Sequence, residues 1–319
     1  MKKILITGMT GFAGSFLAEH LLTLPDAQII GTFHSENSLV NVAHMKDTLD
    51  LVKVDLQDKD ALHALIADKR PDEVYHLAAL ASPSLSFKNP GETLTNNIAI
   101  QVNLFEALRI ENLTQTKILI VSSAEIYGIV SSEDLPIDEN TPLCPTSPYA
   151  VSKIAQDYLG LQYFLSYKMP IIRVRPFNHV GPRQAPNFVI SSFAKRIVDI
   201  EKGVTEPILK VGTLDTKRDF TDVRDMVRAY VLLMEKGTPG EAYNIGSGVS
   251  HKIEDVLRTM LSFSDKEIRV EKDQELVRPS DNPELLCDCR KMRTITNWEP
   301  QIPFEQTLKD TLDYWRNIE

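Results

Sequence analysis

The chain has 319 residues, enough to bury a substantial core in one large domain or in two lobes that share a cleft. Apolar residues at 43% and charged residues at 25% leave no support for a disordered or fibrous chain, and a net charge of −9 argues against a nucleic-acid binder working through a general basic field. The opening MKKILITG carries too few apolar residues for a signal-peptide core or a membrane span, so the expectation is a cytoplasmic protein with no membrane partner.

Taken in chain order, the first half alternates short apolar runs with amphipathic stretches. KKILIT, AQIIGTF, LVKVDL, DEVYHLA, KILIVSS and PIIRVR read as strands, and Phe12–Leu24, Asp58–Ala67, Thr93–Ile110 and Pro148–Tyr167 as the helices between them. Such a βαβ series predicts an α/β fold, a Rossmann-type doubly wound parallel sheet that binds ligands beyond the carboxyl ends of its strands. After Pro176 the pattern loosens: HVGPRQAPNF reads as a loop, Val189–Ile200 as a helix, ILKVG as a short strand and Asp222–Lys236 as a long helix. EAYNIGSG reads as one more strand, and helices near Lys252–Ser262 and Phe304–Arg316 complete a smaller mixed α/β lobe. The expected division is a first domain of 1–175 plus about 216–245, and a second lobe of 176–215 and 246–319.

Cys144, Cys287 and Cys289 are an odd count, read as reduced structural thiols, with LLCDC alternating as a strand that turns both of its thiols to one face. A zinc site needs about four ligands and no second cluster is visible, so no metal is expected.

Three glycines, Gly8, Gly11 and Gly14, stand in ITGMTGFAGS between the first strand and the first helix. Glycine lets the chain turn tightly and approach a pyrophosphate, whose charge the free N–H groups at a helix N-terminus stabilise. SPYAVSK places Ser147 as an N-cap, Pro148 at the first helical position, and Tyr149 and Lys153 four residues apart on one helical face. A phenol with a pKa of about 10 is a poor proton shuttle at neutral pH, and a nearby ammonium together with an oxidised nicotinamide is expected to lower that value.

The glycine spacing, with VDLQD, HLAALAS and YAVSK, resembles the short-chain dehydrogenase/reductase superfamily over nearly the whole chain. The resemblance implies NADPH or NADH as cofactor, held by Gly8, Thr10, Gly11, Phe12, Ala13 and Gly14 at the pyrophosphate and by Asp55 and Leu56 at the adenine. Leu77, Ala78 and Ala79 would pack along the dinucleotide. It also implies a catalytic set of Ser123, Tyr149 and Lys153, with Lys153 on the nicotinamide ribose and Asn97 in a structural role. The end of the second strand, GTFHSENS, offers His34 and no carboxylate at the ribose position, which leans toward NADPH with NADH tolerated.

RPFNHVGPRQAPNF, LKVGTLDTKRDFTDVRD and VRPSDNPELL resemble the nucleotide-sugar enzymes of the extended branch, in the group of GDP-mannose 4,6-dehydratases and GDP-4-keto-6-deoxymannose reductases. By that resemblance the substrate is a GDP-sugar: Asn178, Arg218 and Arg278 would hold the diphosphate, Asp281 the ribose, and the strand carrying Leu209 and Val211 would flank guanine. His179 and Arg183 would lie near the nicotinamide end, and the helix pair Thr93–Ile110 and Pro148–Tyr167 would form a homodimer contact.

Dehydratases of the group resemble one another in a Thr-Ser-Glu or Thr-Asp-Glu triplet and epimerases carry Ser-Ala-Thr, whereas this chain has Ser123-Ala124-Glu125. Dehydration needs an acid/base near C5 and C6, which Glu125 could supply; reduction at C4 needs only a hydride and the Tyr149 proton. The missing middle polar group favours a reductase that uses Glu125 to bind a sugar hydroxyl, with the dehydratase as the alternative. A 4-epimerase, or a non-catalytic dinucleotide sensor on the same fold, is the weaker reading, because Tyr149 and Lys153 are both present.

Overall fold

The structure is a computed structural model that describes residues 1–276 and 282–318. Its centre is a seven-stranded, all-parallel sheet in the order β10-β6-β5-β4-β1-β2-β3. The strands are β1 (Lys2–Thr7), β2 (Ala27–Phe33), β3 (Asp50–Lys53), β4 (Glu73–His76), β5 (Lys117–Val121), β6 (Ile171–Pro176) and β10 (Ala242–Ile245). Because both faces of a parallel sheet are covered, β4, β6 and β10 are buried along their whole length, including the polar side chains of Glu73, His76, Arg173, Arg175 and Asn244. One face packs against α1 (Phe12–Leu22), α7 (Val223–Lys236) and α9 (Arg290–Thr296), the other against α2 (Lys59–Lys69), α4 (Pro90–Ile110) and α5 (Pro148–Tyr167). The short α3 (Pro83–Ser86) leans on the start of α5.

The expected strands and helices are present, with shifted ends. The first helix stops at Leu22 because the Thr23 hydroxyl donates to the His20 carbonyl at 2.7 Å, and the fourth starts early because Pro90 occupies its first turn. Asp58 is the cap of α2, its carboxylate accepting from Asp60 N and Ala61 N. A stretch of 3₁₀ helix over Glu36–Thr48 was not expected.

The second lobe contains β7 (Asn178–Val180), β8 (Ile208–Val211), β9 (Lys217–Asp222), β11 (Ser250–Lys252), β12 (Arg269–Lys272) and β13 (Glu284–Leu285). Strand β9 pairs with β7, β11 and β13, and β8 pairs with β12. Its core lies between these strands and α6 (Val189–Glu201), α8 (Ile253–Leu261) and α10 (Phe304–Asn317). Strand β9 therefore stands in the smaller sheet, although it falls within 216–245, while α7, which follows it directly, returns to the main sheet. LLCDC contributes only Leu285 to the two-residue β13 and an isolated bridge from Cys287 to Ile137. Cys287 and Cys289 are buried free thiols in contact with each other.

Among the described residues no helix is long and apolar enough to cross a membrane, and no group of three or more His, Cys, Asp or Glu is arranged to hold a metal ion.

Candidate active site

A cleft of about 880 Å³ opens at the carboxyl ends of the main strands and runs into the second lobe. Its cofactor end is built by the glycine turn. Gly8 has φ +69°, and a Cβ there would stand 2.9 Å from the Ala78 Cα; a Cβ on Gly14 would stand 2.3 Å from the Gly8 carbonyl oxygen. These glycines let α1 start directly beneath the turn with Gly11 as an N-cap that has no side-chain acceptor, so the first N–H groups of α1 face the cleft. That arrangement fits the pyrophosphate of a dinucleotide.

Thr10, Gly11, Phe12, Ala13, Asp55, Leu56, Leu77, Ala78 and Ala79 all line the same end. The Asp55 carboxylate accepts from Gln57 N at 2.9 Å, which fixes the turn after β3. The unexpected 3₁₀ segment holds the glycine turn in place: Asn41 donates to the Thr10 carbonyl at 2.9 Å, and the Thr10 and Ser38 hydroxyls are 2.7 Å apart. His34 is exposed and lines the cleft beside Ser35 and Ser38, so the wall at the end of β2 offers hydroxyls and an imidazole.

The catalytic candidates meet at the middle of the cleft. Ser147 caps α5, its hydroxyl accepting from Ala150 N at 3.1 Å, and buried Ser86 of α3 accepts from Tyr149 N at 3.1 Å. Tyr149 and Lys153 thus start a rigid helix, one turn apart, with the ammonium 5.9 Å from the phenol ring centre. Lys153 Nζ donates to the Val121 carbonyl at 2.8 Å, and the Ser122 hydroxyl donates to the Lys153 carbonyl at 3.2 Å. Asn97 spans from the Leu80 backbone to the Ser152 hydroxyl at 3.0 Å, tying α4 to α5.

Within the protein alone, burial dominates the electrostatics of both groups. Burial pushes Tyr149 well above its ordinary value, against a hydrogen bond with Ser123, and the Glu125 carboxylate pushes in the same direction as burial. Burial likewise lowers Lys153 from 10.5 to about 7. The phenol is held neutral, the form that a proton donor needs.

Glu125 sits in a 3₁₀ turn, Ala124–Tyr127, whose cap is Ser123. Tyr127 anchors that turn: its hydroxyl donates to Asn244 Oδ1 at 2.7 Å and accepts from Arg175 at 2.9 Å. Arg175 and Arg173, on one face of β6, both pair with fully buried Asp157, one turn beyond Lys153 on α5. Sequence reasoning missed this ionic cluster, for which the alternating arginines of RVR were the available signal.

Among the substrate candidates, Asn178, Val211 and Arg218 line the second-lobe end of the cleft. Arg218 donates to the Asn282 and Lys217 carbonyls at 2.7 and 2.8 Å. His179 also lines it, stacked on Phe12 with ring centres 5.7 Å apart and lowered by burial. Two expectations need correction. Arg183 turns away onto α1, donating to Glu19 at 2.6 Å and Ser15 at 3.2 Å with its guanidinium over the Phe16 ring, because its left-handed backbone (φ +70°) and a carboxylate within reach draw it there. Leu209 is fully buried in the second-lobe core, since its strand presents Val211 to the cleft instead. Arg278 and Asp281 lie outside the described residues. Arg196 of α6 and Lys210 also line the cleft and were not anticipated; the basic residues in FAKRIV and ILKV carry no motif by which to find them.

Comparison with known proteins agrees with this geometry. The family model for GDP-mannose 4,6 dehydratase matches residues 5–311. A GDP-6-deoxy-D-mannose reductase of Pseudomonas aeruginosa is 32% identical over 99% of this chain and 98% of its own. A GDP-mannose 4,6-dehydratase of Yersinia enterocolitica is 30% identical over 96% of this chain and 91% of its own. Among solved structures, that of RMD from Pseudomonas aeruginosa complexed with NADPH superposes with a TM-score of 0.87 at 30% identity, covering 99% of each chain. The glycine turn, the Ser123, Tyr149 and Lys153 constellation and a match that spans both lobes lead to one conclusion: the chain belongs to the GDP-mannose 4,6-dehydratase family.

Proposed function

We propose that this enzyme reduces the C4 ketone of GDP-4-keto-6-deoxy-D-mannose to a GDP-6-deoxyhexose, GDP-D-rhamnose, using NADPH or NADH. The observation that carries the reading is a neutral, buried Tyr149 hydrogen-bonded to Ser123 at the junction of a dinucleotide cleft and a second lobe that offers Arg218 and Asn178. When bound, the reduced nicotinamide supplies the hydride. Tyr149 donates its phenolic proton to the C4 oxygen, and Ser123 holds that oxygen in line by a second hydrogen bond. Lys153 reaches toward the ribose from its anchor on Val121. Arg218 suits a diphosphate because planar guanidinium donors bind two oxygens at once.

Ala124 is buried where dehydratases of the group carry a polar residue, and the loss of that middle polar group favours sugar-hydroxyl binding by Glu125 over C5 chemistry. The 32% identity to a protein named as a reductase supports the same choice. A second reading, GDP-mannose 4,6-dehydratase, is favoured by the influence of the Glu125 carboxylate on Tyr149, which sets an acid/base beside the reacting centre. Incubation with GDP-mannose alone and with GDP-4-keto-6-deoxy-D-mannose plus NADPH separates the two. The expected result is a 6-deoxyhexose from the second mixture only; release of a 4-keto sugar from the first without added NADPH defeats the reductase assignment.

The chain is read as a cytoplasmic homodimer. Val151, Tyr158 and Leu165 recur every seven residues on α5 and are 44%, 52% and 56% exposed, an apolar stripe suited to a helix-pair contact with a second copy. The adjacent free thiols Cys287 and Cys289 suit a reducing compartment. A monomer mass by light scattering at micromolar concentration rules out the dimer.

A further inference from the structure

Tyr230, on α7, is fully buried and lines the cleft, and its phenolic hydroxyl has no hydrogen-bond partner among the described residues. Of the buried side-chain atoms in that condition among the described residues, it is the one that belongs to a cleft-lining residue. A buried hydroxyl without a partner carries a desolvation penalty that phenylalanine, with the same ring, would avoid. Tyr230 belongs to the hydrophobic cluster between α1, α7 and the sheet, whose other members are almost all apolar and would pack an apolar ring as well.

The position of the hydroxyl says what it serves. Helix α7 covers the sheet face that α1 covers, whereas Tyr149 and Lys153 come from α5 on the opposite face. The cleft between the strand ends is therefore flanked by Tyr149 and Lys153 on one side and by Tyr230 on the other. Burial and the neighbouring Tyr149 both disfavour ionisation of Tyr230, and both phenols belong to residues that line the cleft. Val121, Pro176 and Phe177 also line the cleft and offer an aromatic ring apolar contact. A nicotinamide ring whose ribose is taken by Lys153 has one remaining polar substituent, its carboxamide, which needs a hydrogen-bond partner once it leaves water.

We propose that the Tyr230 hydroxyl is a cofactor-binding group that hydrogen-bonds the carboxamide of the nicotinamide ring. The proposal rests on the nicotinamide part of the functional reading and is independent of which sugar is reduced. Tyr230→Phe removes only the hydroxyl.

The test uses the full-length protein and measures dissociation constants by calorimetry for whichever of NADPH and NADH binds tighter. The paired probe is the same dinucleotide without nicotinamide, 2′-phospho-ADP-ribose or ADP-ribose. Tyr230→Phe is expected to weaken the intact dinucleotide about tenfold and to change the fragment by less than about twofold. The melting temperature of the protein without cofactor is expected to stay level or rise. Equal weakening of dinucleotide and fragment, an unchanged constant for both, or a lower melting temperature without cofactor would each overturn the proposal. The last of these would mean that the hydroxyl is paired within the protein. A variant that shows the tenfold effect in a protein that reduces no 4-keto sugar defeats the substrate assignment and leaves Tyr230 in its role; a wild type that binds neither dinucleotide removes both.

Discussion

Lys153→Met should stabilise the cofactor-free protein, by an amount that depends on pH in a way fixed by burial. Lys153 is 4% exposed, and burial lowers it from 10.5 to about 7. The folded protein therefore holds the lysine proton less tightly than the unfolded chain does. Below pH 7 both states are protonated and the full cost of the buried ammonium is present. Between about 7 and 10.5 unfolding takes up a proton, so stability rises with pH, and above 10.5 both states are neutral and the cost is gone. The gap between 10.5 and about 7, at about 1.4 kcal/mol for each pH unit, sets the cost at about 5 kcal/mol. Methionine avoids it and keeps the aliphatic stem, but forfeits the 2.8 Å hydrogen bond to the Val121 carbonyl, a loss of about 1–3 kcal/mol. The variant should thus be more stable than wild type by about 2–4 kcal/mol at pH 6, with the advantage shrinking above pH 7 and reversing between about pH 8 and 10. Urea unfolding followed by fluorescence of the buried Trp298, repeated across that range, measures the difference directly. A difference that does not change with pH, or a variant less stable at every pH, would show that Lys153 is not held in a desolvated site.

Tyr149→Phe should abolish ketone reduction while leaving cofactor affinity within about twofold; retention of more than about a tenth of wild-type turnover, a loss below about 1.4 kcal/mol, would remove Tyr149 as the acid. Glu125→Gln should keep substantial 4-keto reduction, since an amide still accepts from a sugar hydroxyl, whereas a dehydratase would lose about 10²–10⁴ in rate. Complete loss of reduction in that variant, with Tyr149 intact and the fold unchanged, would defeat the assignment of Glu125 to binding. Tyr127→Phe strips the hydroxyl between Arg175 and Asn244 and should cost about 1–3 kcal/mol in chemical denaturation, because it leaves buried polar groups unpaired. A neutral effect there would mean that the ionic cluster does not hold the Glu125 turn.

The features legible in the sequence are those made by neighbours along the chain. A buried parallel strand reads as an apolar run whatever lies beside it, and KKILIT through PIIRVR announced the sheet for that reason. The turn of Gly8, Gly11 and Gly14 is a local backbone requirement, and Tyr149 and Lys153 share a face because a helix repeats every 3.6 residues. Strands such as β7 and β13, three and two residues long, are too short to show a period, so only pairing with β9 defines them. The tertiary structure alone decided which side chains meet across long separations. It sent Arg183 to Glu19 rather than to the nicotinamide end of the cleft, joined Arg173 and Arg175 to Asp157, and turned Leu209 into the core. It also set the burial that raises Tyr149 in the protein alone: proximity to an ammonium is a statement about spacing, but desolvation follows from water excluded by the whole fold, which no local pattern records.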